Sequence, residues 1–481
     1  MQNKPPMENN AGPHILLVVA RGEAVRNFLY SDTLPTLGRN GRVTLLSAIE
    51  DDAILNLFQE HVDRVIPLQE YPESRLVTEF RYILHMAHYR WLWYRASQYM
   101  WAADIHRAWS FQRKIKLAAL KACSLPLASK TALESLTPVE RSLTLSFCPT
   151  RDFDRIFTEL KPDLIFNCSH IHGPLADLPM RTAYALGYKT AAFIFSWDNL
   201  YSRSRIFVPY NHYLVWTEPI REHLLELYPE IPPESVHVTG TPQFDFHFKP
   251  EFQLSRGELC KRIGIDPSRP YIFYTTGYTK DFPQEHKILE GLIRFLQNSN
   301  LDPKPQLVVR KYLKGNSPEL EALSLQPIPD VVFPPVQWEP RWLTPLPEDL
   351  STYTSMLRHA SLGINAASTV SLELMMFDKP VVNLGFEPPG SRLEEWTRFS
   401  RHVEYEHYKP VAESGGVMVA RSMEDLLAMV ERGLRDPQAD SQARQRFIRE
   451  MFGDSLDGRC GERVANKLIE LAKIPPPTST G

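Results

Sequence analysis

Short apolar runs recur along the chain, and stretches with apolar residues three or four positions apart separate most of them. Residues 14–20 (HILLVVA), 42–47 (RVTLLS), 62–68 (VDRVIPL), 163–168 (DLIFNC), 190–196 (TAAFIFS), 212–217 (HYLVWT) and 235–239 (SVHVT) are read as strands. The pattern restarts at 271–275, 306–309, 331–333, 362–365, 381–384 and 416–420. Helices are expected near 23–37, 284–298, 349–360, 369–377, 422–434 and 458–473. Strands that alternate with helices predict parallel βαβ units, so the expected fold class is α/β, in two halves. Residues 249–269, with Pro250, Pro267 and Pro270 around a short helix, read as a linker. This places a first domain at 14–250, a second at 251–457 and a last helix at 458–474. Residues 1–13 and 475–481 are polar, proline-bearing and without periodicity, and are read as disordered ends.

One region breaks the alternation. From 73 to 125 there is neither proline nor glycine, and Phe80, Ile83, Leu84, Ala87, Trp91 and Tyr94 recur at helical spacing. One long helix or a helical hairpin inserted into the first half is expected there. It holds four of the nine tryptophans, Trp91, Trp93, Trp101 and Trp109.

Charge changes the picture only when it is divided. The 481 residues carry 54 Lys and Arg against 57 Asp and Glu, a net of -3, which gives no support to a dedicated nucleic-acid binder. Residues 75–130 hold ten of the basic residues and two acids, a net of +8, so the remainder stands at -11. Three readings of this segment stay open: a patch for an anionic membrane surface, an aromatic platform for an acceptor's sugar rings, and a hairpin that only packs. The five cysteines are widely spaced with no CxxC pair, so neither a zinc ribbon nor a disulfide framework is supported, and a reducing, cytoplasmic setting is expected. No apolar run reaches the ~20 residues that span a bilayer.

The chemistry gathers at 365–373 (NAASTVSLE). A strand ends at Asn365, small residues turn, and Ser368 or Thr369 starts a helix as a good N-cap. Free N–H groups and the helix dipole make such a point an anion site. Glu373 lies one turn on from Thr369, and a carboxylate there can accept both hydroxyls of a ribose. A plain capped strand–turn–helix fits the same spacing.

The segment, followed by Lys379-Pro380-Val381-Val382, resembles the nucleotide-binding stretch of GT-B glycosyltransferases of the surface-polysaccharide type and of their relative UDP-N-acetylglucosamine 2-epimerase. Residues 238–245 (VTGTPQFD) are similar to the "VTG…D" element that closes their first domain. Residues 404–408 (EYEHY), 415–417 (GGV) and 422–426 (SMEDL) also resemble that group, and 196–200 (SWDNL) resembles an element of its polysaccharide transferases. The resemblance spans about 14–470 in the right order. It implies two Rossmann-like domains facing across a cleft, with a nucleotide-sugar donor held mainly by the second. Ser368 and Thr369 would then hold the diphosphate and Glu373 the ribose. Arg310, at a strand end, would lie near the donor phosphates, although Arg310-Lys311-Tyr312-Leu313 stands where relatives commonly show Arg-Pro-His-Pro. Gly277 follows another strand and reads as a close-approach glycine at the donor or as a plain turn.

In the first half, Arg21 and Gly22, then His170, His172 and Gly173, then Asp198 and Asn199, follow strand ends, where open α/β sheets bind ligands. An inverting sugar transfer needs a base for the acceptor hydroxyl; Asp198 and His172 are the candidates, and a retaining enzyme needs neither. Arg21, Gly22, Asn199 and His170 are the acceptor-side candidates. Asp152-Phe153-Asp154 matches a DxD pattern but sits at a helix start, where acids commonly cap, so no metal site is assigned. No cofactor is expected, the nucleotide sugar being a substrate. These readings point to a cytoplasmic glycosyltransferase acting on a glycan or lipid-linked acceptor. A nucleotide-sugar 2-epimerase, a polyol-phosphate transferase and a non-catalytic binding protein of the same shell stay open.

Overall fold

The computed structural model describes residues 12–171, 173–313 and 315–475. The chain divides into two units. The first runs to Asp245 and takes in Pro340–Thr344 and the segment from Ser455; the second comprises Phe246–Glu339 and Pro345–Asp454.

In the first unit the apolar runs pair in parallel. The strands are β1 (His14–Val19), β2 (Arg42–Ser47), β3 (Arg64–Pro67), β4 (Leu164–Asn167), β5 (Thr190–Phe193), β6 (His212–Val215) and β7 (Val236–Val238). Their order is β3-β2-β1-β4-β5-β6-β7, so the winding reverses between β1 and β4. Every residue of β1 is buried, as a strand covered on both faces requires. The helix expected at 23–37 is broken. A short turn with a π-helical stretch covers 22–29, and α1 (Thr33–Asn40) starts afresh. Ser31 Oγ accepts from the Thr33 N–H and donates to Thr33 Oγ1, and local bonds of this kind compete with helix continuation. Pro35 sits in the first turn of α1, where its missing N–H costs nothing.

The segment expected as one helix or a hairpin at 73–125 is three helices, α2 (Arg75–Leu92), α3 (Arg95–Arg107) and α4 (Phe111–Ser124), and α5 (Lys130–Phe147) packs on α2. Trp93 turns left-handed at φ 48° and ends α2, and Ser110 caps α4 through the Arg113 N–H. Leu84, Ala87, Leu133 and Phe207 form a local core, with Phe80, Trp91, Leu127 and Leu136 against it. Below it, Arg81 donates to Glu140 at 2.6 Å, and Arg181 of the helix Pro174–Ala185 donates to the same carboxylate at 2.8 Å. These three side chains are buried, so the charged cluster fastens the inserted helices to the Rossmann-like part. The C-terminal helix, Cys460–Lys473, packs on β1, β4 and α1.

The second unit holds β8 (Tyr271–Thr275), β9 (Gln306–Arg310), β10 (Val331–Val332), β11 (Leu362–Asn365), β12 (Val381–Leu384) and β13 (Met418–Ala420). All pair in parallel in the order β10-β9-β8-β11-β12-β13, and the reversal falls between β8 and β11. Ile272, Tyr274, Leu307, Val309, Ile364 and Val382 belong to one buried core with the flanking helices. Among the described residues no helix is long and apolar enough to cross a membrane, and all five cysteines are unpaired.

Candidate functional site

Ligands of open α/β sheets bind beyond the carboxyl ends of the strands where the winding reverses. In the second unit that point lies after β8 and β11. Asn365 ends β11, Ala367 takes φ 53°, and Ser368 caps α6 (Thr369–Met376) by accepting from the Val370 N–H at 3.3 Å. A left-handed alanine is strained, and the surroundings hold it. Asn365 Oδ1 accepts from the Ser368 N–H at 3.0 Å, from Ser371 Oγ at 3.0 Å and from Asn383 Nδ2 at 3.2 Å. The Tyr408 hydroxyl reaches Ser371 Oγ at 2.7 Å and Asn383 Oδ1 at 2.9 Å. Thus the 404–408 motif contributes a buried lock behind the turn. The bond from the Ser368 N–H fixes which end of the Asn365 amide is oxygen. Its Nδ2 is then a buried donor without a hydrogen-bond partner among the described residues, beside the helix N-terminus.

Glu373 is buried one turn along α6. His247 Nε2 lies 2.9 Å from its Oε1, and the Tyr353 hydroxyl donates to its Oε2 at 2.7 Å. Tyr353 comes from α7 (Pro347–His359), as does Asp349, one turn earlier on the same face. Arg310, at the end of β9, gives both terminal nitrogens to Asp349, at 3.3 and 2.6 Å, and lies 4.9 Å from the Tyr353 ring centroid. Trp338 Nε1 and the Gln337 N–H also donate to Asp349. Arg310 is therefore engaged in a buried pair that supports Tyr353, and through it Glu373. His247, Asp349 and Tyr353 were not among the residues singled out in the sequence. Only the helical spacing of Asp349 and Tyr353 could have signalled two of them.

Gly277 follows β8. Its N–H donates to Glu285 Oε2 at 2.9 Å, and a Cβ there would collide with the Phe282 ring, so this close approach is to an aromatic side chain. Burial pushes the Glu285 carboxyl up to about 7, opposed by the donors Gly277 N–H and Tyr274 hydroxyl.

In the first unit the reversal brings together the ends of β1 and β4, with β5 next. Arg21 is exposed and pairs with Glu23 at 3.3 Å. The Gly22 N–H donates to the Trp342 carbonyl at 3.0 Å, and a Cβ would strike Trp342 and Thr344, so glycine is needed for that approach. His170 packs on Phe195 with the rings tilted by 37° and centroids 4.4 Å apart. Burial, aided by Arg203, pushes its imidazole down to about 4, and the charges of Glu23, Arg21 and Asp198 also act on it. It is neutral near pH 7, and a group with so low a pKa is a weak base. The Asp198 carboxylate accepts from Ser196 Oγ and, at 2.5 Å, from Ser202 Oγ. Asn199 is buried and accepts from the Ser196 N–H at 3.1 Å. The charges of Arg21 and Asp198 are thus both felt at His170, while His172 lies outside the described residues. Asp152 and Asp154 sit in the first turn of the helix Arg151–Leu160; Asp152 accepts from Arg155 and Tyr71, and Asp154 from Thr150 Oγ1. Among the described residues no group of three or more His, Cys, Asp or Glu converges as metal ligands do.

Two parallel sheets, each with a reversal of winding, define a pair of Rossmann-like units. This is the GT-B-like fold shared with UDP-GlcNAc 2-epimerases. The UDP-GlcNAc 2-epimerase of Neisseria meningitidis bound to UDP-GlcNAc superimposes with TM-score 0.54 at 12% identity, over 95% of this chain and 100% of that one. S. aureus MnaA in its structure with UDP gives 0.52 at 12%, over 95% and 96%. A further UDP-N-acetylglucosamine 2-epimerase gives 0.50 at 12%, over 95% and 96%. No family model and no curated protein matches the chain.

Proposed function

We propose that the second unit binds the diphosphate and ribose of a nucleotide sugar, and that the protein is a glycosyltransferase for a glycan or lipid-linked acceptor. The observation that carries the reading is the turn 365–368. At the reversal of the second sheet it sets a capped helix N-terminus beside a buried, unpartnered amide donor. A diphosphate would take up that donor and the helix dipole, which would also stabilise it as a leaving group. Glu373, one turn on, would receive the ribose. UDP is the first nucleotide to try, because fold neighbours are described with UDP or UDP-GlcNAc. On the first unit, Asp198 is the favoured base, since its carboxylate follows the end of β5 and is ordered by two serines. The base role of His172 and the acceptor roles of Arg21, Gly22, His170 and Asn199 belong to the same proposal.

The fold neighbours favour a second reading, a nucleotide-sugar 2-epimerase. One experiment separates them. The protein is screened by thermal shift against UDP, GDP, CDP and ADP and their sugars, and the stabilising sugar nucleotide is incubated in D2O and followed by NMR. Deuterium entering at C2 would establish the epimerase. Stabilisation without exchange, with nucleoside diphosphate released only when acceptor glycolipid is added, would establish the transferase. No stabilisation by any of them would overturn both.

A further inference from the structure

The helix α4 turns its apolar stripe toward solvent. Its inward side is Leu117, Leu120, Lys121 and Ser124, spaced at three and four residues, with Lys121 and Ser124 buried. The opposite side carries Phe111, Ile115, Ala118, Ala119 and Ala122, all exposed. Phe111 is 77% exposed, Ile115 55%, and Trp109, just before the helix, 84%. A helix that serves only the fold buries such a stripe. Phe80 and Trp91 of the insertion behave differently and pack against its core, whereas Trp93 is 40% exposed.

The flanks of the stripe are basic. Lys114 and Lys116 are exposed on α4 at the two edges of the stripe, Arg113 lies on the side away from it, and Arg107 is exposed at the end of α3. Lys116 meets Glu79 at 2.5 Å, and no acid lies on α4 itself. Two other cations of the insertion are held inside, Arg81 by Glu140 and Glu73 and Lys121 by Asp104, while Arg75, Arg90 and Arg95 are exposed on α2 and α3. The tip of the insertion is therefore apolar at its centre and cationic around it. A protein partner would need a matching apolar knob with an acidic ring. An anionic lipid surface supplies both parts everywhere, with headgroups for the lysines and acyl boundary for the rings.

We infer that α4, with Trp109 before it, is a docking surface for an anionic bilayer, on which the helix lies in the plane of the interface with Trp109, Phe111 and Ile115 inserted. The inference does not depend on the proposed nucleotide site.

The full chain is floated with phosphatidylglycerol-containing vesicles and with pure phosphatidylcholine vesicles. Binding is expected to the first and not the second, weakening as salt rises. Phe111→Ser with Ile115→Ser should lower binding about tenfold or more, as expected when inserted apolar area is lost. Lys114→Glu with Lys116→Glu should abolish it at low salt. These side chains are exposed, so the melting temperature should hold; if it falls, quenching of Trp109 by brominated lipid, with Trp109→Phe as the blank, reads insertion directly. Equal flotation of all variants, or no binding to anionic vesicles, would overturn the inference. So would concentration-dependent self-association that the serine variant abolishes without any vesicle binding, which would give the stripe to a second copy of the chain.

Discussion

His247 and Glu373, 126 positions apart, meet as a buried pair with His247 Nε2 2.9 Å from Glu373 Oε1. The other imidazole nitrogen lies 3.2 Å from Thr354 Oγ1. With a proton on Nε2 the imidazole donates to the carboxylate, while Nδ1 faces the hydroxyl. The acid expected to face ribose is therefore oriented from behind by His247 and Tyr353 before any ligand arrives.

Removing that support should be felt at the ligand. His247→Ala leaves a buried carboxylate oxygen without its donor, which costs about 1–3 kcal/mol of stability. If Glu373 takes the ribose, calorimetry should show nucleoside diphosphate affinity falling by roughly tenfold, as for loss of one oriented charged hydrogen bond. His247→Gln, which keeps a donor, should recover part of it. Because Glu373 is anchored in the fold, Glu373→Gln is the appropriate partner variant. Both variants melting early while binding UDP normally would make the pair purely structural.

The same logic applies one contact further out. Arg310 and Asp349 are a buried ion pair with side chains 11% and 3% exposed. Arg310→Met strips Asp349 of its counter-ion and should destabilise the protein by about 3 kcal/mol in urea melts. Arg310→Met with Asp349→Leu should be less harmful than the sum of the two. Additive losses would mean that the guanidinium acts elsewhere, at a donor phosphate for instance.

How far the sequence carries can be judged from such residues. The strands 42–47, 271–275, 362–365 and 381–384 have the bounds read from the apolar runs, because a doubly covered parallel strand is a short apolar block between polar breaks. The capped turn at Ser368 was legible for a similar reason, since caps are local. The helix Ser441–Phe452 was not, its apolar residues being few and its surface mostly polar. Nor were His247, Tyr353 and Asp349. Their roles arise from contacts between elements far apart in the chain; the helical spacing of Asp349 and Tyr353 sets those two on one face but does not encode what they meet. Gly277 was read as a glycine of close approach or of a plain turn and Gly22 only as following a strand end, while the groups set against them, Phe282 and Trp342, were not legible.

Glu285 gives the chain a pH dependence of known sign. Its carboxyl is held at about 7 in the folded protein against an ordinary 4.5, chiefly by burial. Between those values the folded state keeps a proton that the unfolded state has released. Stability from this group is therefore present at low pH, falls as pH rises through that window, and is flat above it. Glu285→Gln should remove the effect. The stability difference between wild type and variant, measured in urea at pH 5 and pH 8, should shift against the wild type by up to about 3 kcal/mol. A difference independent of pH would mean that Glu285 is ionised throughout.

The C-terminal helix is held at both ends by opposite charges of the first unit. Asp245 accepts from the N–H groups of Cys460 at 3.0 Å and Gly461 at 2.7 Å, which explains the acid of the VTGTPQFD motif. Gly240 of the same motif takes φ 74° where a Cβ would crowd Cys460 Sγ. At the far end Lys189 Nζ donates to the carbonyls of Leu471 at 2.6 Å and Ala472 at 3.3 Å, and also to that of Ile474. An anion at the first turn and a cation at the last both complement the helix dipole. Asp245→Ala and Lys189→Met should each cost about 1–2 kcal/mol, the scale of a lost cap. The helix has 14 residues, and its ends lie about 20 Å apart at 1.5 Å per residue, so the losses should add in the double variant. Hydrogen exchange locates the effect: protection should fall first at 460–463 in the aspartate variant and at 470–474 in the lysine variant. Unchanged protection of this helix in both would show that packing on β1 and β4 alone holds it.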